Sequence, residues 1–375
     1  MRICTMTCHH VYNYGATLQA YALQYYLEKL GCEVEIIDYR LFTHIRYELF
    51  TPYPNGRAYK IIRKIPFLRY IITPIKNRNM LHTWGRKKAF DDFDRKYLHI
   101  SKCVYRTYEE LDKADFTADV FIAGSDQIWN PIFPNGKDLG YYLYFGDRNI
   151  KRISYAASFG VSEISKEQGT FVKEKLSTFA YLSVREQSGV DILKAIGLKA
   201  VKCLDPVFLL NRSEWGEMIQ IKRLDYRYIM VYDFHHEDES MIDFVKCLSK
   251  EKGLKILSIN DTNNAPYADI QINNAGPIEF LSYIENADYV VSNSFHATAF
   301  SMIFNKRFAT FPLNTQPNKG RMIDLIHSVG LGYLYAPSHI SALDKDICWE
   351  KINSILDTMV CQSKKYLCTS CSINK

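Results

Sequence analysis

Short apolar runs that end in polar clusters alternate with amphipathic stretches along most of this chain. Residues 2–8 predict a buried strand, 9–15 a polar loop, 16–30 a helix closed by Gly31, and 33–38 the next strand. That order predicts a parallel pair, because the crossover helix returns the chain to begin the second strand in the same direction. Residues 118–123, 153–157, 181–184 and 200–204 predict further strands, with a helix over 166–179. A second set follows at 226–233, 254–260, 290–292 and 307–311, separated by helical patterns over 237–252, 278–285 and 297–304. The pattern predicts an α/β protein of two doubly wound halves, 1–210 and 211–360, facing a cleft. A basic insertion occupies about 41–115, and a cysteine-containing tail 361–375. No fixed-period repeat interrupts the pattern.

Ligands of open α/β sheets bind beyond the carboxyl ends of strands, so the polar clusters there are the candidates for chemistry. The most informative one follows the apolar residues 289–291, where Ser292, Asn293 and Ser294 lead into a helix that begins near His296. A helix N-terminus favours an anion, and a histidine beside it can give and take a proton near neutral pH. Asn13, Tyr14 and Gly15 open the first helix, with Gly15 allowing close backbone approach. Ser125, Asp126 and Gln127 follow another strand, as does the 158–160 turn. Arg185 follows 182–184, where its guanidinium offers paired donors to a carboxylate or phosphate; the alternative is an interface salt bridge to Glu186 or Asp205. Asp205, before Pro206, binds sugar hydroxyls, acts as a base, or caps a turn. Lys319 and Arg321 lie in a loop that either closes over phosphate or solvates the surface.

Other chemistries lack their signatures. There is no G-x-G-x-x-G or G-x-x-x-x-G-K-[ST] run, which argues against a dinucleotide fingerprint or a P-loop, and no G-x-S-x-G elbow for a serine nucleophile. Ten cysteines at irregular spacing predict free thiols. Cys361, Cys368 and Cys371, or Cys4, Cys8, His9 and His10, could contribute metal ligands, but a lone C-x-x-C falls short of a zinc signature, and the expectation is no metal.

Composition changes the picture in one place. The net charge of +6 is concentrated at residues 57–102, which hold thirteen Lys or Arg against three Asp, interleaved with isoleucine and aromatic residues. This mixture fits either an anionic membrane surface or a solvated basic face, which sedimentation with anionic vesicles at low salt would separate. No nucleic-acid module accompanies the charge, so nucleic acid is not an expected partner. The first residues read as a strand rather than a signal peptide, and no run approaches the roughly 18 apolar residues a membrane span requires. The expectation is a cytoplasmic protein, with peripheral contact at the inner membrane surface as an option.

The segments VYNYGATLQAYAL, FIAGSDQIWNP, SYAASFG, LSVREQSG, LDPVFLL and NADYVVSNSFHATAFSMIFNKRF, in this order over roughly residues 1–325, resemble the polysaccharide pyruvyl transferase family. The resemblance implies a glycosyltransferase-B-like pair of Rossmann-type domains. It also implies transfer of a pyruvyl group from phosphoenolpyruvate onto two hydroxyls of one sugar, forming a cyclic ketal in surface polysaccharide assembly. The implied acceptor is a lipid-linked, galactose-type sugar. No cofactor is implied beyond the donor substrate. On this reading His296 is the general acid, Arg185 clamps the donor and Lys319 neutralises phosphate. Asn13, Tyr14, Gly15, Ser292, Asn293, Ser294 and Arg321 surround the donor, while Ser125, Asp126, Gln127 and Asp205 face the acceptor. This chain departs from the family at Ser294-Phe295-His296, where members often read Arg-Leu-His, leaving Arg321, Lys319 or Arg307 to replace the missing cation. Two other functions share the expected fold, since fold does not decide chemistry: a nucleotide-sugar glycosyltransferase, and a non-catalytic member that lost the donor arginine.

Overall fold

Two parallel sheets with the same strand order organise the chain, which a computed structural model describes over residues 1–41, 84–219, 224–261, 263–313 and 320–373. The first sheet holds β1 (Arg2–Met6), β2 (Glu33–Tyr39), β3 (Ile100–Tyr105), β4 (Val120–Ala123) and β5 (Lys151–Ser154), in the order β3-β2-β1-β4-β5. A two-stranded extension, β6 (Ser183–Val184) and β7 (Val201–Lys202), continues beyond β5 through isolated bridges. The second sheet holds β8 (Tyr228–Tyr232), β9 (Lys255–Ile259), β10 (Ile270–Ile272), β11 (Tyr289–Ser292) and β12 (Arg307–Thr310), in the order β10-β9-β8-β11-β12. Among the described residues every pairing is parallel. In both sheets the winding reverses beside the first strand, between β1 and β4 and between β8 and β11, and these are the positions where such sheets take ligands.

The helices are α1 (Tyr14–Lys29), α2 (Trp84–Tyr97), α3 (Tyr108–Asp112), α4 (Lys166–Leu176), α5 (Gln187–Ala195), α6 (Arg212–Gly216), α7 (Glu239–Lys252), α8 (Pro277–Asn286), α9 (Phe295–Ile303), α10 (Gly320–Ser328) and α11 (Trp349–Cys371). Among the described residues none is long and apolar enough to cross a membrane.

Two strands escaped the sequence pattern, and both are sheet edges. β3, Ile-Ser-Lys-Cys-Val-Tyr, and β10, Ile-Gln-Ile, are nowhere fully buried, so neither needs the apolar run that marks a central strand. β3 also corrects the described part of the expected insertion at 41–115, because it is the edge strand of the first sheet; 42–83 lies outside the described residues. The tail at 361–375 is likewise corrected. Residues through Cys371 are the last turns of α11, which crosses back to the first half. There Ser363 Oγ accepts from Leu204 N at 3.0 Å, and Tyr366 donates to Ser154 O at 2.9 Å. Cys368 and Cys371 are buried by this packing, and burial pushes the Cys371 thiol up to about 12.

α1 explains why the halves hold together. Thirteen of its sixteen residues are buried, because it packs on β2 on one side and against α8 and α9 of the second half on the other. A helix in that position must be apolar on all faces, and one continuous core runs from Ile3, Leu18 and Leu27 to Ile229, Phe280 and Phe300. At the helix start Tyr14 stacks on Phe280, with ring centroids 4.3 Å apart. Its hydroxyl donates to Ala275 O at 3.0 Å. Arg86 of α2 lies over the rings of Tyr14 and Phe90 and donates at 2.6 Å to both Tyr12 O and Asp261 Oδ1.

Breaking a buried ion pair from one side leaves an uncompensated charge. Arg86→Ala is therefore expected to lower the unfolding free energy by about 3 kcal/mol in urea titration, with Asp261→Asn adding little on top. A loss within experimental error would remove this pair from the interdomain account.

Candidate functional site

The carboxyl ends of both sheets face each other, and a buried carboxylate sits where they meet. Asp205 caps the short 3₁₀ turn Pro206–Leu209, accepting from Val207 N at 3.1 Å through Oδ1. Its Oδ2 accepts from Ser125 Oγ at 2.8 Å and from Arg185 Nη1 at 2.7 Å, and it lies 3.5 Å from His296 Nε2. One oxygen from the β7 side thus gathers a hydroxyl after β4, a guanidinium after β6 and an imidazole from α9. Burial alone would raise the Asp205 carboxyl, but His296 and Arg185 beside it hold it well below the usual carboxylate range.

Arg185 is 5% exposed. Its Nη2 is 3.8 Å from Asp126 Oδ1, its Nε 4.0 Å from Glu186 Oε2, and its guanidinium lies 4.5 Å from the ring centroid of Phe295. Nε and Nη2 make no hydrogen bond, and neither does His296 Nε2. Donors this buried are normally satisfied, so the two guanidinium nitrogens without a hydrogen bond mark a place shaped for an added acceptor. Arg321, at the start of α10, is close enough that burial and the Arg185 charge lower its pKa to about 10. Placing the Gln127 amide oxygen toward it gives 3.2 Å to each terminal guanidinium nitrogen.

His296 owes its position to the strand end that carries it. Ser292 Oγ donates to Tyr232 O at 2.5 Å and accepts from Ser294 N at 3.0 Å. Asn293 Nδ2 donates to Asp233 Oδ1 at 2.6 Å, and Ser294 caps α9. The imidazole then rests on Gly15, where any Cβ would overlap the ring. Asn13 caps α1 from the residue position before Tyr14 by accepting from Ala16 N.

The candidate residues therefore separate into groups. His296, Arg185, Arg321, Asp126 and Gln127 come together, with Gly15 as the floor under the imidazole. Ser292, Asn293 and Ser294 are corrected from donor contacts to the framework of the His296 turn, since their side chains are taken up by internal bonds. Tyr14 is corrected in the same way, being buried in the interdomain stack. Asp205 and Ser125 face inward as the hub and its partner rather than toward an acceptor. Arg307 is directed to Leu343 O and Asp346, away from this cluster. Lys319 lies outside the described residues, as does 57–83 of the basic stretch. In the described part of that stretch Arg86 is buried, while Lys87 pairs with Asp91 and Arg95 with Asp92 inside α2. Among the described residues no three His, Cys, Asp or Glu side chains are grouped to hold a metal, and His9 pairs with Asp38 at 3.3 Å.

Sequence reasoning gave Glu186 only as an alternative partner for Arg185, and the structure adds a second task. Its Oε1 accepts from Ser158 Oγ, Phe159 N and Gly160 N at 2.9, 2.8 and 3.2 Å, which fixes the turn after β5. The acid next to a strand-end arginine was the available signal.

The facing switch points and the cationic, carboxylate-braced site between them define a glycosyltransferase-B-like protein of two Rossmann-type domains. A family model described as polysaccharide pyruvyl transferase matches residues 13–314, and the chain belongs to that family of transferase enzymes. No curated protein sequence matches the chain. Among solved structures, UDP-GlcNAc 2-epimerase from Neisseria meningitidis bound to UDP-GlcNAc is similar at 9% identity and TM-score 0.47, covering 98% of this chain and 93% of its own. UDP-bound MnaA from S. aureus is similar at 9% identity and TM-score 0.46, with coverages of 95% and 90%. UDP-GlcNAc 2-epimerase from Methanocaldococcus jannaschii gives 11% identity and TM-score 0.45, with coverages of 96% and 93%.

Gly15→Ala is expected to leave the fold intact while displacing the His296 ring, because the added methyl lands on the imidazole. Activity should fall at least 10-fold with little change in melting temperature; full activity would show that the ring is not held by this contact.

Proposed function

We propose that the chain transfers the pyruvyl group of phosphoenolpyruvate onto two hydroxyls of one sugar, forming a ketal. The observation that carries this reading is the pair of buried guanidinium nitrogens without hydrogen bonds, Arg185 Nε and Nη2, beside the His296 imidazole. A donor carrying both a carboxylate and a phosphate needs such cations, and a guanidinium offers the planar fork that matches either group. Arg185 clamps the donor, and Arg321 supplies the second positive charge that Ser294 does not. Lys319 extends the same role from the neighbouring loop.

Protonation of the donor's methylene carbon makes its C2 an oxocarbenium ion. His296 delivers that proton, and Asp205 stabilises the imidazolium from which it comes. A sugar hydroxyl adds to C2, phosphate leaves, and the second hydroxyl closes the ring. Asp126 and Gln127, half-buried at the same rim, contact the sugar. The acceptor is a galactose-type sugar on a lipid carrier, brought to the protein at the cytoplasmic membrane face; the family's place in polysaccharide synthesis supports this assignment.

The test joins calorimetry with turnover. Wild-type protein should bind phosphoenolpyruvate and release phosphate when a galactoside is present. His296→Gln should keep donor affinity within a few-fold and lose about 10²–10⁴-fold in kcat. Arg185→Lys keeps the charge next to Asp205 but loses the fork, and should weaken donor binding about 10-fold. Absence of phosphoenolpyruvate binding to the wild type, with UDP binding in its place, would replace this reading by nucleotide-sugar transfer.

A further inference from the structure

Ketal formation, on the reading above, needs a group that accepts the proton of the attacking hydroxyl as well as one that protonates the donor carbon. On the His296 side the carboxylates are drawn to the Arg185 guanidinium. Asp205 is filled by Ser125, Arg185 and Val207, and Asp126 faces Arg185 at 3.8 Å. The other side of the second switch point holds a cluster that none of the steps above uses. Tyr232 pairs with Ser292 in the β8–β11 register, so the loop after β8 leaves the sheet beside the His296 turn. That loop carries Asp233 and His236.

Asp233 is 2% exposed. Its Oδ1 accepts from Asn293 Nδ2 at 2.6 Å and from His235 N at 3.2 Å, which ties the two loops together. Phe234 N completes the link by donating to Asn293 Oδ1 at 3.2 Å. One oxygen is thus enough for the fold. The other, Oδ2, is buried without a hydrogen bond of good geometry, and the Tyr267 hydroxyl is near enough to Asp233 that burial and this carboxylate raise its pKa. The His236 imidazole, 6% exposed, stands beside that carboxylate, Nδ1 3.7 Å from Asp233 Oδ2 and 3.4 Å from the Tyr267 hydroxyl. His236 also has φ of 57°, in the left-handed region that a residue with a Cβ seldom occupies. Strain of that kind persists where the surroundings require the side chain's placement, and it clusters at functional sites.

We propose that Asp233 and His236 form a hydroxyl-binding pair that seats the sugar acceptor at the second switch point, with His236 taking the proton of the attacking hydroxyl. The hydroxyl O–H bond breaks toward a ring nitrogen of His236, and the oxygen pair forms the bond to the donor's C2. The donor's C=C electron pair meanwhile takes the proton from His296 at the methylene carbon. Phosphate then leaves with the C–O bond pair and receives the proton held by His236. The second hydroxyl adds at C2 and its proton returns to His296, so each histidine ends in its starting state. Asp233 orients His236, and the Tyr267 hydroxyl meets the same ring nitrogen, Nδ1.

The experiment uses the full chain with phosphoenolpyruvate and octyl β-galactoside, measuring donor affinity by calorimetry and turnover by phosphate release. His236→Gln and Asp233→Asn should keep the phosphoenolpyruvate Kd within about twofold. His236→Gln should lose about 10²–10⁴-fold in kcat, and Asp233→Asn should raise the galactoside KM about 10-fold. If either variant melts more than about 5 °C below the wild type, Tyr267→Phe carries the test, with a raised galactoside KM expected and an unchanged one overturning the proposal. Wild-type kcat and KM in His236→Gln would overturn it. So would loss of phosphoenolpyruvate binding in that variant, which would place the pair on the donor side. Wild-type protein that binds phosphoenolpyruvate but neither binds nor converts the galactoside overturns the acceptor assignment alone, whereas failure of the wild type to bind phosphoenolpyruvate overturns the parent reading.

Discussion

The buried carboxylate of Asp205 is the constraint from which the site follows. Moving an ion of this kind out of water costs several kcal/mol, which only close partners can offset. Here the partners are a guanidinium at 2.7 Å, a hydroxyl at 2.8 Å and a backbone amide at 3.1 Å. Arg185 is held by a single nitrogen, so the rest of its fork keeps unused hydrogen-bonding capacity in a buried place. His296 is drawn to the same oxygen without a good hydrogen bond, and Arg321 is crowded by Arg185. The sign of the coupling is clear. Because Asp205 is held below its ordinary value of 3.8, its contribution to stability is complete above that pH. The contribution fades only as pH falls through the lower folded value.

This cluster can be rigid only if the two sheets cannot slide, and α1 supplies that condition. The helix contributes to both halves of one core, and its first residues do three separate tasks. Asn13 caps it, Tyr14 stacks across the domain boundary, and Gly15 gives the His296 ring its seat. Arg86 adds an ion pair to the same boundary. A domain closure of the kind common in two-domain enzymes would have to break the Tyr14 and Phe280 stack and the Arg86 and Asp261 bridge together. The geometry therefore favours a pre-organised site, in which electrostatic stabilisation requires little rearrangement.

The sequence pattern revealed the two wound halves because their central strands are buried on both faces and read as uninterrupted apolar runs. It could not reveal β3 and β10, whose edge positions leave their residues half in water. His296, Arg185 and Arg321 were legible as strand-end polar residues with the right chemistry. What the pattern could not supply was direction. Ser292, Asn293 and Tyr14 sit at the right positions but turn inward, and only the hydrogen bonds to Tyr232, Asp233 and Ala275 show this. Asp233 and His236 were overlooked for the opposite reason, since a strand end with two histidines carries no recognised motif and only the structure sets a buried carboxylate oxygen beside an imidazole.

The central claim is that Arg185, braced by Asp205, and His296 address one donor molecule. A crystal structure with phosphoenolpyruvate bound tests it most directly. The donor's carboxylate or phosphate is expected within hydrogen-bond distance of Arg185 Nε and Nη2, with its methylene carbon next to the His296 imidazole. A donor bound away from Arg185, or a ring turned from the methylene carbon toward the protein interior, would contradict it.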